Sequence, residues 1–136
     1  MVDHALTVLE YEDLLAQVGR FAHTESGRGM ILSLRPRTTS QAITAKHDAY
    51  REAMRLLETG LRLPSLNVPD VASILRRLAP EGATVGGDDL VLCREMMDRS
   101  ETVQRFLLRE ELADFCCLRE LGQRIDPCTA VRAELR

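Results

Sequence analysis

Apolar residues recur at intervals of three and four along almost the whole chain, the spacing of one face of an α-helix. Thr7 followed by Glu10 fits a capping box that opens a helix over about residues 8–22, with Leu14, Leu15, Val18, Phe21 and Ala22 as its apolar stripe. Thr24 is placed to cap a second helix that carries Met30, Ile31 and Leu34 inward and stops before Pro36. Gly27 sits inside that helix at a cost of about 1 kcal/mol against Ala, so a close approach of neighbouring backbone is expected there. Thr38 and Gln41 form another capping box, and the helix behind them runs to about Thr59 and ends at Gly60. Its inward positions read as Ile43, His47, Tyr50, Met54, Leu57 and Leu61, spaced as in a coiled-coil seam, with His47 as a packed core residue.

The next ten residues, LRLPSLNVPD, hold two prolines and predict an extended excursion. A short helix from Asp70 to Ala79 follows, with Val71, Ile74, Leu75 and Leu78 on one face. PEGATVGGDD predicts a turn with Val85 as an isolated anchor, and Asp88 opens a helix carrying Leu90, Val91, Met97, Val103, Phe106 and Leu107. A last full helix uses Leu112, Phe115, Leu118, Leu121 and Ile125 and ends at Asp126-Pro127. The expected fold is all-α: about six helices in an irregular bundle, with no strand run and no internal repeat. We expect a single helical domain over 1–136, ordered over about 8–126, with 128–136 as the truncated start of a further helix.

Composition agrees with one compact domain. The chain has 136 residues, 45% of them hydrophobic, enough for its own core. Five aromatics and no Trp argue against a stacking platform for single-stranded nucleic acid. The net charge of −3 is not the basic footprint of a domain that grips phosphates unaided. Seventeen of the 18 basic residues are Arg, and Lys46 is the exception. No apolar run approaches the roughly 18 residues of a membrane span, and no positive leader opens the chain, so we expect a cytoplasmic protein with no membrane contact.

Candidate chemistry is sparse. The one Lys sits mid-helix after Ala45, so there is no phosphate-cradling GK[ST] loop. His4, His23, His47 and the four Cys do not fall at zinc-ligand spacing, and we expect no metal site, no cofactor site and no catalytic residue on this chain. Cys116 and Cys117, between Phe115 and Leu118, read as core thiols in a reducing compartment. Asp88 and Asp89 complement the dipole of the helix they open. Arg76, Arg77, Arg105 and Arg109 are the candidate nucleic-acid or interdomain contacts, against a reading as solvated faces.

The stretch FAHTESGRGMILSLRPRTTSQAITAKHDAYREAMRLL resembles the start of the core, lever-bearing region of MutS-family proteins. A Thr is followed three later by Gly, then an apolar helical run and Leu-x-Pro, and then a long helix. Here these are Thr24, Gly27, Met30, Ile31, Leu34 and Pro36, with His47 and Ala49 in the long helix. The opening LEYEDLLAQVGRFA and the later LNVPDVASILRRLAPEGATVGGDDLVLCREMMDRSETVQRFL are similar to the second bacterial MutS type, which bears an Smr nuclease domain in many members. The likeness covers about residues 8–108, departing at Ser26 and at Gly86-Gly87, where Ser-Pro is more usual. None of Phe21, Phe106 or Phe115 is followed two later by the Glu of a mismatch-reading wedge.

The resemblance implies a core domain that packs on the remaining domains of the same polypeptide and contributes no catalysis itself. ATP and Mg, the dimer-forming ATPase and any nuclease lie in later domains of such proteins, which act on branched DNA or ribosomes as homodimers. Two other readings need no missing domains: a stand-alone helical adaptor that dimerises through the 43–61 seam, and a small all-α enzyme using His47 or the arginines.

Overall fold

The computed structural model describes residues 2–135, and the side chains of 4–135. All regular structure among them is helical: eight α-helices and one 3-10 turn. Besides the expected six, α1 (Val2–Val8) stands at the start of the chain, and α8 (Thr129–Glu134) lies where the start of a further helix is expected. The chain divides into two compact units, with the boundary between Pro36 and Arg37.

The first unit holds α1, α2 (Tyr11–Gly19) and α3 (Glu25–Leu32). The expected helix over 8–22 is broken, because α1 runs on to Val8 and Glu10 takes a left-handed conformation (φ 50°) before α2 starts. Glu10 therefore closes a turn and forms no capping box, its N–H bonding the carbonyl of Thr7 at 3.1 Å. Thr24 does cap α3: its hydroxyl accepts the N–H of Gly27 at 2.9 Å. A Cβ on Gly27 would lie 2.8 Å from that hydroxyl oxygen, so the close approach comes from the cap side chain and not from a neighbouring backbone. Gly19 is buried where α2 meets α3, beside Arg28 and Leu32. Of the predicted stripes only Leu15 is buried, while Leu14, Val18, Phe21, Met30 and Leu34 are exposed. Three short helices present too little facing surface to cover more.

The second unit holds α4 (Ser40–Glu58), α5 (Ala72–Leu78), α6 (Gly87–Leu107), the 3-10 turn Glu110–Leu112, α7 (Cys116–Arg124) and α8. It has two apolar clusters. Leu56, Phe106, Leu112, Phe115 and Leu118 form the first, with Leu63 and Leu107 against it. Val71, Ile74, Cys93 and Met97 form the second, and Val85 docks there as the turn predicted, joined by Leu135.

The corner between α6 and α7 is closed by complementary polar contacts. Arg119 Nη1 donates to the carbonyls of Leu108 and Arg109 at 3.3 and 3.1 Å, just past the end of α6, where the Arg109 carbonyl also accepts the N–H of Leu112 at 3.1 Å. Gln104 Nε2 donates to the carbonyl of Ile125 at 2.6 Å. Gly122 is buried against α6, and a Cβ there would meet Leu107 Cβ at 2.9 Å. The single helix expected to use Leu112 through Ile125 is thus a 3-10 turn followed by α7, with Leu121 left exposed. α8 packs on α6, where Arg132 forms a two-pronged ion pair with Glu101, Nη2 to Oε1 at 2.9 Å, and approaches Asp98 at 3.5 Å.

Candidate functional site

Arginines of the second unit gather in one groove of about 600 Å³. The last two turns of α6 supply Thr102, Arg105 and Phe106 to its wall, Arg109 joins them from the bend between α6 and the 3-10 turn, and the irregular segment after α4 supplies Arg62, Leu63, Pro64 and Ser65. The segment runs here because Leu63 packs on the first apolar cluster, which leaves Arg62 in solvent beside it. Arg109 lies with its guanidinium carbon 5.2 Å from the centre of the Phe106 ring, a cation–π contact. Arg105 Nη2 is 3.9 Å from Glu101, one helical turn away. That carboxylate is committed elsewhere: the hydrogen bond from Arg132 holds it below the usual carboxylate range. Among the described residues neither Arg62 nor Arg109 has a salt-bridge partner, so the groove carries uncompensated positive charge.

The four candidate arginines are therefore divided. Arg105 and Arg109 meet in this groove, joined by Arg62, while Arg76 and Arg77 sit in the last turn of α5 and do not line it. Arg77 is engaged with Asp89 at 2.7 Å, tying α5 to the first turn of α6. Arg76 makes no ion pair among the described residues. Sequence reasoning missed Arg62, whose signal was its place between Leu61 and Leu63 ahead of Pro64, where an extended chain alternates sides.

The residues of the Thr24–Pro36 pattern are local determinants of α3. Thr24 and Gly27 make the cap, the N–H of Leu34 bonds the carbonyl of Ile31 at 3.0 Å as the helix ends, and Pro36 follows in irregular chain.

The long helix α4 packs with a different face from the one expected. Leu56 is buried and Ala42, Ala49 and Glu52 are half-buried, and this is the side that meets α7. Small side chains there let the helices approach. His47 is exposed and is not a core residue, and Tyr50 and Leu57 are 63% and 61% exposed. Ile43, Met54 and Leu61 are also exposed.

The adjacent thiols differ from their expected place as well. Cys116 is exposed and Cys117 half-buried, because they occupy the first turn of α7 beside α4 and not the cluster below it. Burial first, and then the Glu52 carboxylate, push the Cys117 thiol up from its ordinary value. All four cysteines are free, and no group of three or more His, Cys, Asp or Glu among the described residues is arranged to hold a metal. Among the described residues no helix is long and apolar enough to cross a membrane.

The chain matches no family model and no solved structure. It is similar to Endonuclease MutS2 of Gemmatimonas aurantiaca, with 38% identity over 79 residues. Those residues are 58% of this chain and 10% of that protein, so the similarity spans about a tenth of the relative's length.

Proposed function

We propose that this chain is a non-catalytic helical core domain of a MutS2-like protein, which packs on other domains of a longer polypeptide and couples an ATPase domain to nucleic-acid-clamping helices. The observation that carries this reading is the 38% identity over 79 residues to Endonuclease MutS2, in a region related to only a tenth of that protein. The architecture suits a coupling role, since packed helices shift as rigid units. On this reading ATP, Mg and any nuclease chemistry belong to later domains, and the whole protein is a cytoplasmic homodimer acting on branched DNA or ribosomes. The groove of Arg62, Arg105 and Arg109 is then the surface offered to a neighbouring domain or to a phosphate backbone.

The deciding experiment is the mass of the native product in cell extract, detected with an antibody raised on this domain. A band several times larger than 15.3 kDa is expected. A native product of 15.3 kDa, or ATP hydrolysis by the isolated 136-residue chain, overturns the reading.

A further inference from the structure

We propose that the exposed seam of α4 receives a second, amphipathic α-helix with acidic residues at its flanking positions, and that this helix is not another copy of the chain. The inference does not depend on the relationship to MutS2.

The spacing comes first. Ile43, His47, Tyr50, Met54 and Leu57, with Leu61 just beyond the helix, alternate by four and three. A repeat of about 3.5 residues keeps successive side chains facing a partner helix over its whole length, which neither a strand nor a polyproline segment would follow. All six are exposed. The face they form is distinct from the packed one: at about 100° per residue, its centre lies roughly 130° round the helix from the side carrying Ala42, Ala49, Glu52 and Leu56. α4 can therefore engage α7 and a further helix together.

Charge then selects the occupant. Within α4 the positions bordering the seam are Thr44, Arg51 and Glu58 on one side and Lys46 and Ala53 on the other. Two copies paired parallel and in register set Lys46 of each beside Arg51 of the other and stack His47 on His47. Two copies paired antiparallel, with the apolar anchors superimposed, oppose Arg51 to Arg51. Both self-pairings bring like charges together at the flanks, the arrangement that selects against a partner. Neither Lys46 nor Arg51 has an ion-pair partner among the described residues. A helix presenting Glu or Asp opposite these two answers both charges while filling the seam.

The test uses the 136-residue chain and two synthetic heptad peptides with the same Ile/Leu core, one flanked by Glu and the other by Lys. The chain is expected to sediment as a monomer and to bind the Glu-flanked peptide about tenfold more tightly than the Lys-flanked one, an electrostatic preference that high salt reduces. Arg51→Glu should reverse the preference, and Met54→Asp should abolish binding of both. Helical circular dichroism matching the parent chain shows that each variant folds. Equal binding of the two peptides, binding of neither, or a concentration-dependent dimer that Met54→Asp dissolves would each overturn the proposal.

Discussion

The carboxylate of Glu52 accepts the backbone N–H of Leu118 at 3.0 Å, across 66 positions of sequence. Leu118 is in the first turn of α7, where free N–H groups and the positive end of the helix dipole favour an anion. The cap of α7 is thus provided by the neighbouring helix and not by the residue before it, Phe115, which makes no side-chain cap. Glu52→Ala should lower stability by about 1–2 kcal/mol, within the range for losing an N-terminal cap. Glu52→Gln keeps an acceptor and should cost less, as urea midpoints at neutral pH will show.

The same contact governs thiol reactivity. The thiolate is the reacting form, and the Cys117 thiol is pushed up by burial and by Glu52. Alkylation near pH 8 should label the exposed Cys116 and Cys128 before Cys117, with the buried Cys93 last. Glu52→Gln should speed labelling of Cys117, which peptide mass mapping resolves.

Glu101 makes stability depend on pH. Its carboxyl is held below its ordinary value of 4.5, chiefly by the hydrogen bond from Arg132. Because the folded value is the lower one, the contribution is fully present above the unfolded value and is lost as pH falls through the folded one. Arg132→Met should therefore be less stable than the parent chain at pH 7, with the gap narrowing below about pH 4. Denaturation midpoints across pH 3–7 check the sign, and a constant gap would contradict it.

Gly122 should not tolerate a side chain. A Cβ there would sit 2.9 Å from Leu107 Cβ and 3.3 Å from Leu108 Cδ2, in the tightest part of the α6–α7 corner. Gly122→Ala should destabilise by about 1–3 kcal/mol through overpacking. Gly87→Ala, at an open position in the first turn of α6, is expected to be neutral or stabilising by about 0.5–1 kcal/mol. Thermal unfolding of the pair separates steric conflict from helix propensity.

Leu112 and Met54 should respond to truncation by very different amounts. Leu112 is fully buried among Leu56, Phe106, Phe115 and Leu118, so Leu112→Ala should cost about 2–5 kcal/mol. Met54, 42% exposed on the open face of α4, should lose less than about 0.5 kcal/mol as Met54→Ala. Chemical denaturation of both variants measures the contrast.

The sequence by itself determined that the chain is helical, where most helices lie and what begins some of them. Thr24 caps α3 as its spacing to Gly27 requires, the two-proline segment takes no regular structure, and Val85 anchors a turn. Leu112, Phe115 and Leu118 were legible as core because they are large, apolar and helically spaced. Tertiary structure alone decided which face of α4 packs. Periodicity locates apolar stripes but does not say what covers them, and α7 settles on the side of Ala42, Ala49 and Leu56, with Glu52 supplying its cap. The left-handed Glu10 that parts α1 from α2 follows no residue preference, since glycine and asparagine are the usual occupants of that conformation. The candidate site was half legible: Arg105 and Arg109 stand four apart at the end of one apolar-periodic run and could be paired from sequence, although Arg109 lies just past the last turn of α6, while Arg62 joins them only because Leu63 pins an irregular segment to the core. Local preference is read residue by residue, whereas a groove depends on which distant surfaces fit together, and that is a property of the packed chain.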